Sequence, residues 1–209
     1  LKHSDGNVYA FCNQSIFKCS MDQTVEPILP DTVISSPAHS VAQAPDEDIY
    51  IGTESSGLYI YSGNWKLKHH IPVDGTITAI LPDEGGNIWL GLDEAGICLF
   101  NKERQTFTWL HKDNTCLSNN SIRTLVPYSD SSILIGTFRG LNILDKKELA
   151  IAPADINIAG KGGLSHYSIH SMMIDKDQTL WIGTYSAGVN YHSPFYRPVS
   201  YILSLIHIS

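Results

Sequence analysis

Leu180-Trp181-Ile182-Gly183-Thr184 is the stretch of this sequence that decides the fold. Its strand-forming residues stop at a glycine, and another apolar run starts after Gly188. The same arrangement occurs three more times, around Gly52, Gly91 and Gly136. A weaker copy opens the chain, with Phe11 in the place of the glycine. β-branched and aromatic runs that end at glycine are typical of short strands joined by turns.

The four glycines recur at regular spacing, 39, 45 and 47 residues apart. The residue fourteen positions before each glycine is also apolar, and these residues are Ala38, Ile77, Ile122 and Ile169. A set of unrelated hairpins that share turn residues is the alternative. Self-similarity at this period favours the blades of a β-propeller. We therefore expect an all-β fold, an incomplete β-propeller of about five four-stranded blades.

The repeats predict one partial propeller over residues 1–200, with blades at about 1–30, 38–74, 75–118, 119–164 and 165–201. The first six residues have the character of a turn within a blade, so we expect no signal peptide and a chain that begins inside the fold. Residues 203–209 match no repeat position. They are either a further strand or a non-native tail, such as translated adapter sequence.

Three local features sharpen this division. Prolines at Pro27, Pro30 and Pro37 predict that strand pairing stops between blades one and two. The run that begins at Trp65 predicts the fourth strand of blade two, and residues 197–201 predict an outer strand of blade five. The glycine cluster at 160–163 lacks the context of a phosphate-binding loop, so we interpret it as a turn.

Composition excludes several classes of function. The net charge of −7 and the lack of a basic stripe argue against nucleic-acid contact. The four cysteines do not have zinc-binding spacing, and Cys98 is expected to pack as a small apolar residue. Cys12 and Cys19 could bridge a hairpin, a question that sequence leaves open.

Catalytic, metal and cofactor sites are not predicted. Among the nine histidines, the most suggestive of a metal site are His69-His70 and His166 with His170. Residues four apart on a strand are separated by about 13 Å, too far to share a metal. No nucleophile motif is present. Trp89 and Trp181 occupy equivalent strand positions, and we expect both to be buried between blades.

Loops between the second and third strands, and junctions between blades, should open on one face. They carry aromatic rings for stacking on sugars and polar groups for hydroxyls. The candidate ligand-binding residues are Asn120, Phe138, Arg139, His166, Tyr167 and Tyr185.

Residues 120–125, with 133–137 and 140–143, resemble the two-component-regulator propeller repeat, and residues 168–175, with 180–184 and 188–191, are similar to it. Departures are Phe11 for glycine, Ala44 and Tyr128 for aspartate, and Leu134 for tryptophan. The resemblance implies the periplasmic sensor region of a Bacteroidetes hybrid two-component system anchored in the inner membrane.

In that family, the propellers have seven blades and precede a β-sandwich, a membrane helix, a histidine kinase and a response regulator. The resemblance further implies an oligosaccharide ligand, and contacts with the remaining blades and the β-sandwich. A homodimer of the parent is a further expectation. No sequence here resembles the kinase, so this piece is expected to sense rather than catalyse. The alternatives are a propeller-type polysaccharide lyase or glycosidase, and a protein-interaction scaffold.

Overall fold

All regular structure in the computed structural model is β-strand, and the model describes residues 1, 3–28, 34–155 and 164–194. Blade one contains β1 (Val8–Cys12), β2 (Ser15–Cys19) and β3 (Val25–Ile28). Blade two contains β4 (Ala38–Gln43), β5 (Ile49–Thr53), β6 (Leu58–Tyr61) and β7 (Leu67–Ile71). Blade three contains β8 (Ile77–Pro82), β9 (Asn87–Leu92), β10 (Gly96–Asn101) and β11 (Thr106–Leu110). Blade four contains β12 (Ile122–Ser129), β13 (Ser132–Thr137), β14 (Gly140–Asp145) and β15 (Ala150–Pro153). Blade five contains β16 (Ile169–Ile174), β17 (Leu180–Thr184) and β18 (Val189–His192).

Each blade is an antiparallel sheet whose strands pair in chain order. The first strands of successive blades contact one another, β4 with β8, β8 with β12, and β12 with β16. The sheets are therefore arranged around a common centre, and the predicted all-β propeller is confirmed. Within the described ranges there is no helix of the length and apolarity that crossing a membrane requires.

Blades one and five show three strands each within the described residues, against the expected four. In blade one, Leu1 exchanges backbone hydrogen bonds with Tyr9, at 2.8 Å and 2.7 Å. The chain therefore begins beside β1, which occupies the place of a second strand. The outer strand predicted at 197–201, the cluster at 160–163 and the segment 203–209 lie outside the described residues.

The repeated glycine makes room for the next blade. A Cβ built on Gly52, Gly91 or Gly136 would stand 2.6, 2.5 or 2.6 Å from the Cγ2 atom of an isoleucine in the following blade. Those isoleucines are Ile77, Ile122 and Ile169, the residues that recur fourteen positions before the next glycine. Interiors are close-packed, so only glycine permits this approach. The two halves of the sequence repeat are therefore the two sides of one interface between blades.

Hydroxyl groups join the same strands near the centre. Ser40 Oγ donates to the carbonyl of Ile77 across blades two and three, at 2.6 Å. Thr78 Oγ1 donates to the carbonyl of Ile122 across blades three and four, also at 2.6 Å. Each bond satisfies a first-strand carbonyl, which is needed because unpaired buried backbone groups are costly.

The hydrophobic core is divided into four clusters, one between each pair of successive blades. Trp89, only 1% exposed, lies in the cluster between blades three and four, as predicted. The matching prediction for Trp181 is wrong, because its side chain is 38% exposed. On blade five, the sheet face that carries Trp181 has no described residue of a further blade against it. The indole of Trp181 therefore remains in contact with solvent.

Two smaller expectations, for Pro27 and Trp65, are also corrected, and the open question about Cys12 and Cys19 is answered. Pro27 lies within β3, opposite Phe17, because β3 is an outer strand where a missing N–H does not interrupt a ladder. Trp65 precedes β7 and sits in a turn with a φ of 64°, where its ring packs 5.0 Å from that of Tyr9. Cys12 and Cys19 are both unbridged, since they pair with opposite ends of the β1–β2 hairpin. Cys98 is buried, as expected.

Candidate functional site

One hydrogen bond, repeated in four blades, brings the loop after the second strand to the junction before the first strand. The backbone N–H of Phe138 donates to the Ser121 carbonyl, and that of Tyr185 to the Ser168 carbonyl, each at 3.0 Å. The N–H of Asp93 and that of Glu54 make the equivalent bonds, also at 3.0 Å. These loops and junctions therefore share one end of the propeller, which we call the loop face.

A cavity of about 390 Å³ opens on the loop face between blades four and five. It is lined by Phe138, Arg139, His166, Tyr167 and Ser168. We call it the blade 4–5 cavity. Four of the six candidate residues predicted from sequence thus lie around one space. They meet because Phe138 and Arg139 belong to the loop of blade four, while His166 and Tyr167 belong to the next junction.

The lining residues offer rings and donors to solvent. Tyr167 is 74% exposed. The predicted residue Tyr185 does not line the cavity, but it lies on the same face, bonded to the Ser168 carbonyl, and is 76% exposed. The Ser168 N–H donates to His166 Nδ1 at 3.0 Å, so a neutral His166 ring carries its proton on Nε2 as a donor. The Arg139 backbone is held by a bond from its N–H to Thr137 Oγ1 at 3.1 Å. The loop is therefore anchored while its side chain extends outward.

Arg123 lies next to the lining residue Phe138, although it does not itself line the cavity, and it was not among the predicted site residues. Its guanidinium carbon lies 6.0 Å from the centre of the Phe138 ring, within cation–π range. Its Nη2 atom lies 3.8 Å from Asp93 Oδ1. The strand register skips a residue between Ile122 and Thr124, so Arg123 occupies a β-bulge. The sequence could have indicated Arg123, because each of the first strands β4, β8, β12 and β16 carries a polar residue at this position.

Asn120, another of the predicted site residues, stabilises the fold rather than lining the cavity. Its Oδ1 accepts from the Lys112 N–H at 2.8 Å, and its carbonyl accepts from the Gly96 N–H at 2.8 Å. Both bonds tie the junction between blades three and four. Asn120 is on the loop face but does not line the blade 4–5 cavity.

Other cavities lie at the opposite end, where the first two strands of each blade turn. The larger has a volume of about 560 Å³ and includes Pro82, Pro127 and Tyr128. Asp83 also lines it, but its Oδ1 accepts from Gly85 and Asn87 and its Oδ2 from the Trp89 indole. That carboxylate therefore closes the hairpin. In the described part of the chain, no three histidine, cysteine, aspartate or glutamate side chains are placed to hold a metal.

The sequence matches a known family model over part of its length. The model of the two component regulator propeller matches residues 163–186, which include β16 and β17. A search of curated proteins finds no significant match.

Solved structures similar to this chain include extracellular domains from B. thetaiotaomicron. The domain of BT3049, described as a hybrid two component system, has a TM-score of 0.70 and 25% identity, covering 92% of this chain and 26% of that one. The domain of BT4673, described likewise, has a TM-score of 0.69 and 18% identity, covering 88% of this chain and 24% of that one.

PorZ, a surface component of the type-IX secretion system of Porphyromonas gingivalis, has a TM-score of 0.65 and 14% identity, over 91% of this chain and 31% of that one. At such identity the likeness to BT4673 and PorZ shows the fold alone. The chain spans about a quarter to a third of the length of these structures.

Proposed function

Because this chain carries the two component regulator propeller repeat, we propose that it is the extracytoplasmic ligand-sensing part of a hybrid two component sensor. It binds an oligosaccharide released from polysaccharide breakdown and relays occupancy to a kinase elsewhere in the parent protein, without catalysing a reaction itself. The observation that carries the proposal is the blade 4–5 cavity. The similarity to extracellular domains supports the location.

The chemistry of the cavity suits a sugar. A pyranose ring has an apolar face and a rim of hydroxyl groups. Phe138 and Tyr167 supply planar surfaces for the apolar face. Arg139 and His166 supply donors for the rim. The cavity is open enough to admit a chain of sugars from its side, since the lining residue Tyr167 is largely exposed.

Its cellular setting follows from the same proposal. The module sits in the periplasm, on a parent protein anchored in the inner membrane. Further blades and a β-sandwich of the parent complete its contacts, and the parent forms a homodimer. A change at the loop face would reach the kinase through these neighbours.

Isothermal titration of the chain against a panel of oligosaccharides tests the proposal. Tyr167→Ala should weaken binding at least about fivefold, because a stacked ring contributes roughly 1 kcal/mol beyond its buried area. Tyr128→Ala is the matched control, since Tyr128 is 40% exposed and lines the cavity at the opposite end. Loss of binding with Tyr128→Ala alone would move the site to that end. Absence of binding by every glycan would refute the sensing function.

A second candidate function has one specific observation in its favour. His166 and Tyr167, a base and a phenol, line the same cavity as Arg139, and a polysaccharide lyase uses such groups to remove a proton beside a carboxylate. Incubation with polygalacturonate would reveal a lyase by the ultraviolet absorbance of its unsaturated product. An unchanged spectrum, with binding intact, leaves sensing as the function.

A further inference from the structure

Four blades carry a β-bulge at the same place in the first strand. The register skips one residue in β4, β8, β12 and β16. The bulged residues are His39, Thr78, Arg123 and His170. A bulge changes the direction in which a side chain points, relative to regular strand pairing. Each first strand therefore presents one polar residue near the loop face.

A second series follows the second strands. Its members each bond to the junction through the backbone N–H described above, and they are Glu54, Asp93, Phe138 and Tyr185. The series changes from carboxylates in blades two and three to aromatic rings in blades four and five. The bulge series contributes Arg123 to the aromatic sector. The loop face is thus divided into an acidic part and an aromatic, cationic part.

The charge of this second part is opposite to that of the chain. The chain has a net charge of −7. Around the blade 4–5 cavity, however, Arg139 lines the space, and the Arg123 guanidinium lies 6.0 Å from the centre of the ring of the lining residue Phe138. Asp93 is the one carboxylate that approaches either guanidinium within the described residues, at 3.8 Å from Arg123. That separation is longer than a hydrogen bond. Both guanidinium groups therefore keep donors available for a ligand.

We propose that the ligand of the blade 4–5 cavity is an acidic oligosaccharide, whose carboxylate or sulfate is bound by Arg139 and Arg123 while its ring stacks on Phe138 or Tyr167. This inference rests on the proposed sensing function and adds the charge of the ligand. A guanidinium matches the planar carboxylate, and also the sulfate ester, with two parallel hydrogen bonds. The arrangement selects against an uncharged sugar, because a neutral hydroxyl leaves one donor of each pair unsatisfied.

Calorimetry with three matched glycans tests the inference. Tetragalacturonate carries carboxylates, its complete methyl ester has the same backbone without charge, and a sulfated galactan tetrasaccharide carries sulfate alone. We expect tetragalacturonate or the sulfated glycan to bind at least tenfold more tightly than the ester. Whichever is tighter identifies the source of the anion. Equal binding of ester and acid, or binding by neutral glycans alone, overturns the acidic ligand but leaves the sensing function intact. No binding by any glycan overturns both.

Arginine variants assign the contact. Arg139→Gln and Arg123→Gln should each weaken the acidic ligand about tenfold and leave the ester unaffected. Arg104→Gln is the matched control, since it changes the net charge equally in the exposed β10–β11 turn at the opposite end of blade three. Equal affinity in all three variants overturns the proposed contact.

A salt titration uses the unsubstituted chain, so its result does not depend on whether a variant folds. The affinity of this chain for the acidic ligand should fall as the sodium chloride concentration rises, because exposed charges are screened. The affinity for the ester should stay constant. A salt-independent affinity for the acidic ligand counts against the guanidinium contacts.

Discussion

Ile122 of blade four lies directly over Gly91 of blade three, so that a Cβ on the glycine would stand 2.5 Å from the Ile122 Cγ2 atom. Ile77 over Gly52 and Ile169 over Gly136 repeat the contact. Gly183 differs, because the nearest atom to its virtual Cβ is Ser171 Oγ of its own blade, at 2.6 Å. The same sequence position is therefore an interface between blades in three cases and a local strand contact in the fourth.

Gly91→Ala should destabilise the protein more than Gly183→Ala. The new methyl group at Gly91 meets a packed isoleucine that has no space to retreat, and overpacking of this kind costs about 1–3 kcal/mol. At Gly183 the obstacle is an exposed serine hydroxyl that can rotate away. Urea unfolding of both variants measures the difference. Equal loss of stability would show that the glycines are needed for backbone conformation rather than for the neighbouring blade.

Trp89→Ala and Trp181→Ala form a second matched pair. Each indole donates to an aspartate six residues earlier, Trp89 to Asp83 at 3.2 Å and Trp181 to Asp175 at 2.8 Å. Only Trp89 is buried. We expect Trp89→Ala to cost about 3–5 kcal/mol in unfolding free energy, and Trp181→Ala about 1 kcal/mol. A comparable cost at both sites, measured by denaturant titration, would mean that another part of the protein covers Trp181.

Lys102→Met should destabilise the protein by about 2 kcal/mol at neutral pH. This cost is smaller than that of removing one partner from a fully buried ion pair, because Lys102 is partly exposed. Lys102 of blade three bonds Asp48 at 2.7 Å and Asp46 at 3.1 Å in blade two, and the Asp48 side chain is 1% exposed. Lys147→Met is the control, since Lys147 is exposed and its Nζ atom comes no closer than 3.9 Å to the carboxylate of its partner Glu148.

The cost of Lys102→Met should shrink in acid. Burial raises the pKa of Asp46, but the hydrogen bond and charge of Lys102 outweigh burial and hold this pKa below 3.8. A carboxyl with a depressed folded pKa contributes stability above its unfolded pKa and loses it as pH falls through the folded pKa. The difference in unfolding free energy between the unsubstituted protein and Lys102→Met should therefore decrease below pH 3.8. A gap that stays constant would assign the effect to packing of the lysine stem.

Cys98 should resist alkylation while the protein is folded. Burial raises the pKa of its thiol to about 12, and the thiolate is the reactive form. Cys12 and Cys116 are exposed and unbridged. Iodoacetamide at mildly alkaline pH should modify these two and spare Cys98 until denaturant is added, as mass spectrometry of peptides would show. Early modification of Cys98 would reveal opening between blades two and three, where it packs.

The sequence by itself determined the strands, the turns and the period of the repeat. These features are local: alternating apolar residues, turn-forming aspartates and glycines act on neighbours in the chain. Asp83 and Asp175, which stand shortly before the second strands of their blades, accept hydrogen bonds that close their own hairpins. The end of each second strand at a glycine was also readable, since β5, β9, β13 and β17 all finish one residue after it.

Only the tertiary structure decided how residues at equivalent repeat positions differ in burial and in contacts. Trp89 and Trp181 have the same local sequence pattern, but only Trp89 has a described blade against its ring. Arg123 reaches Phe138 because a bulge redirects it, and the partners of a bulge are on another strand. Burial and convergence depend on residues distant in the chain. Local pattern therefore predicts the blade, and only the packing of one blade on the next defines the site.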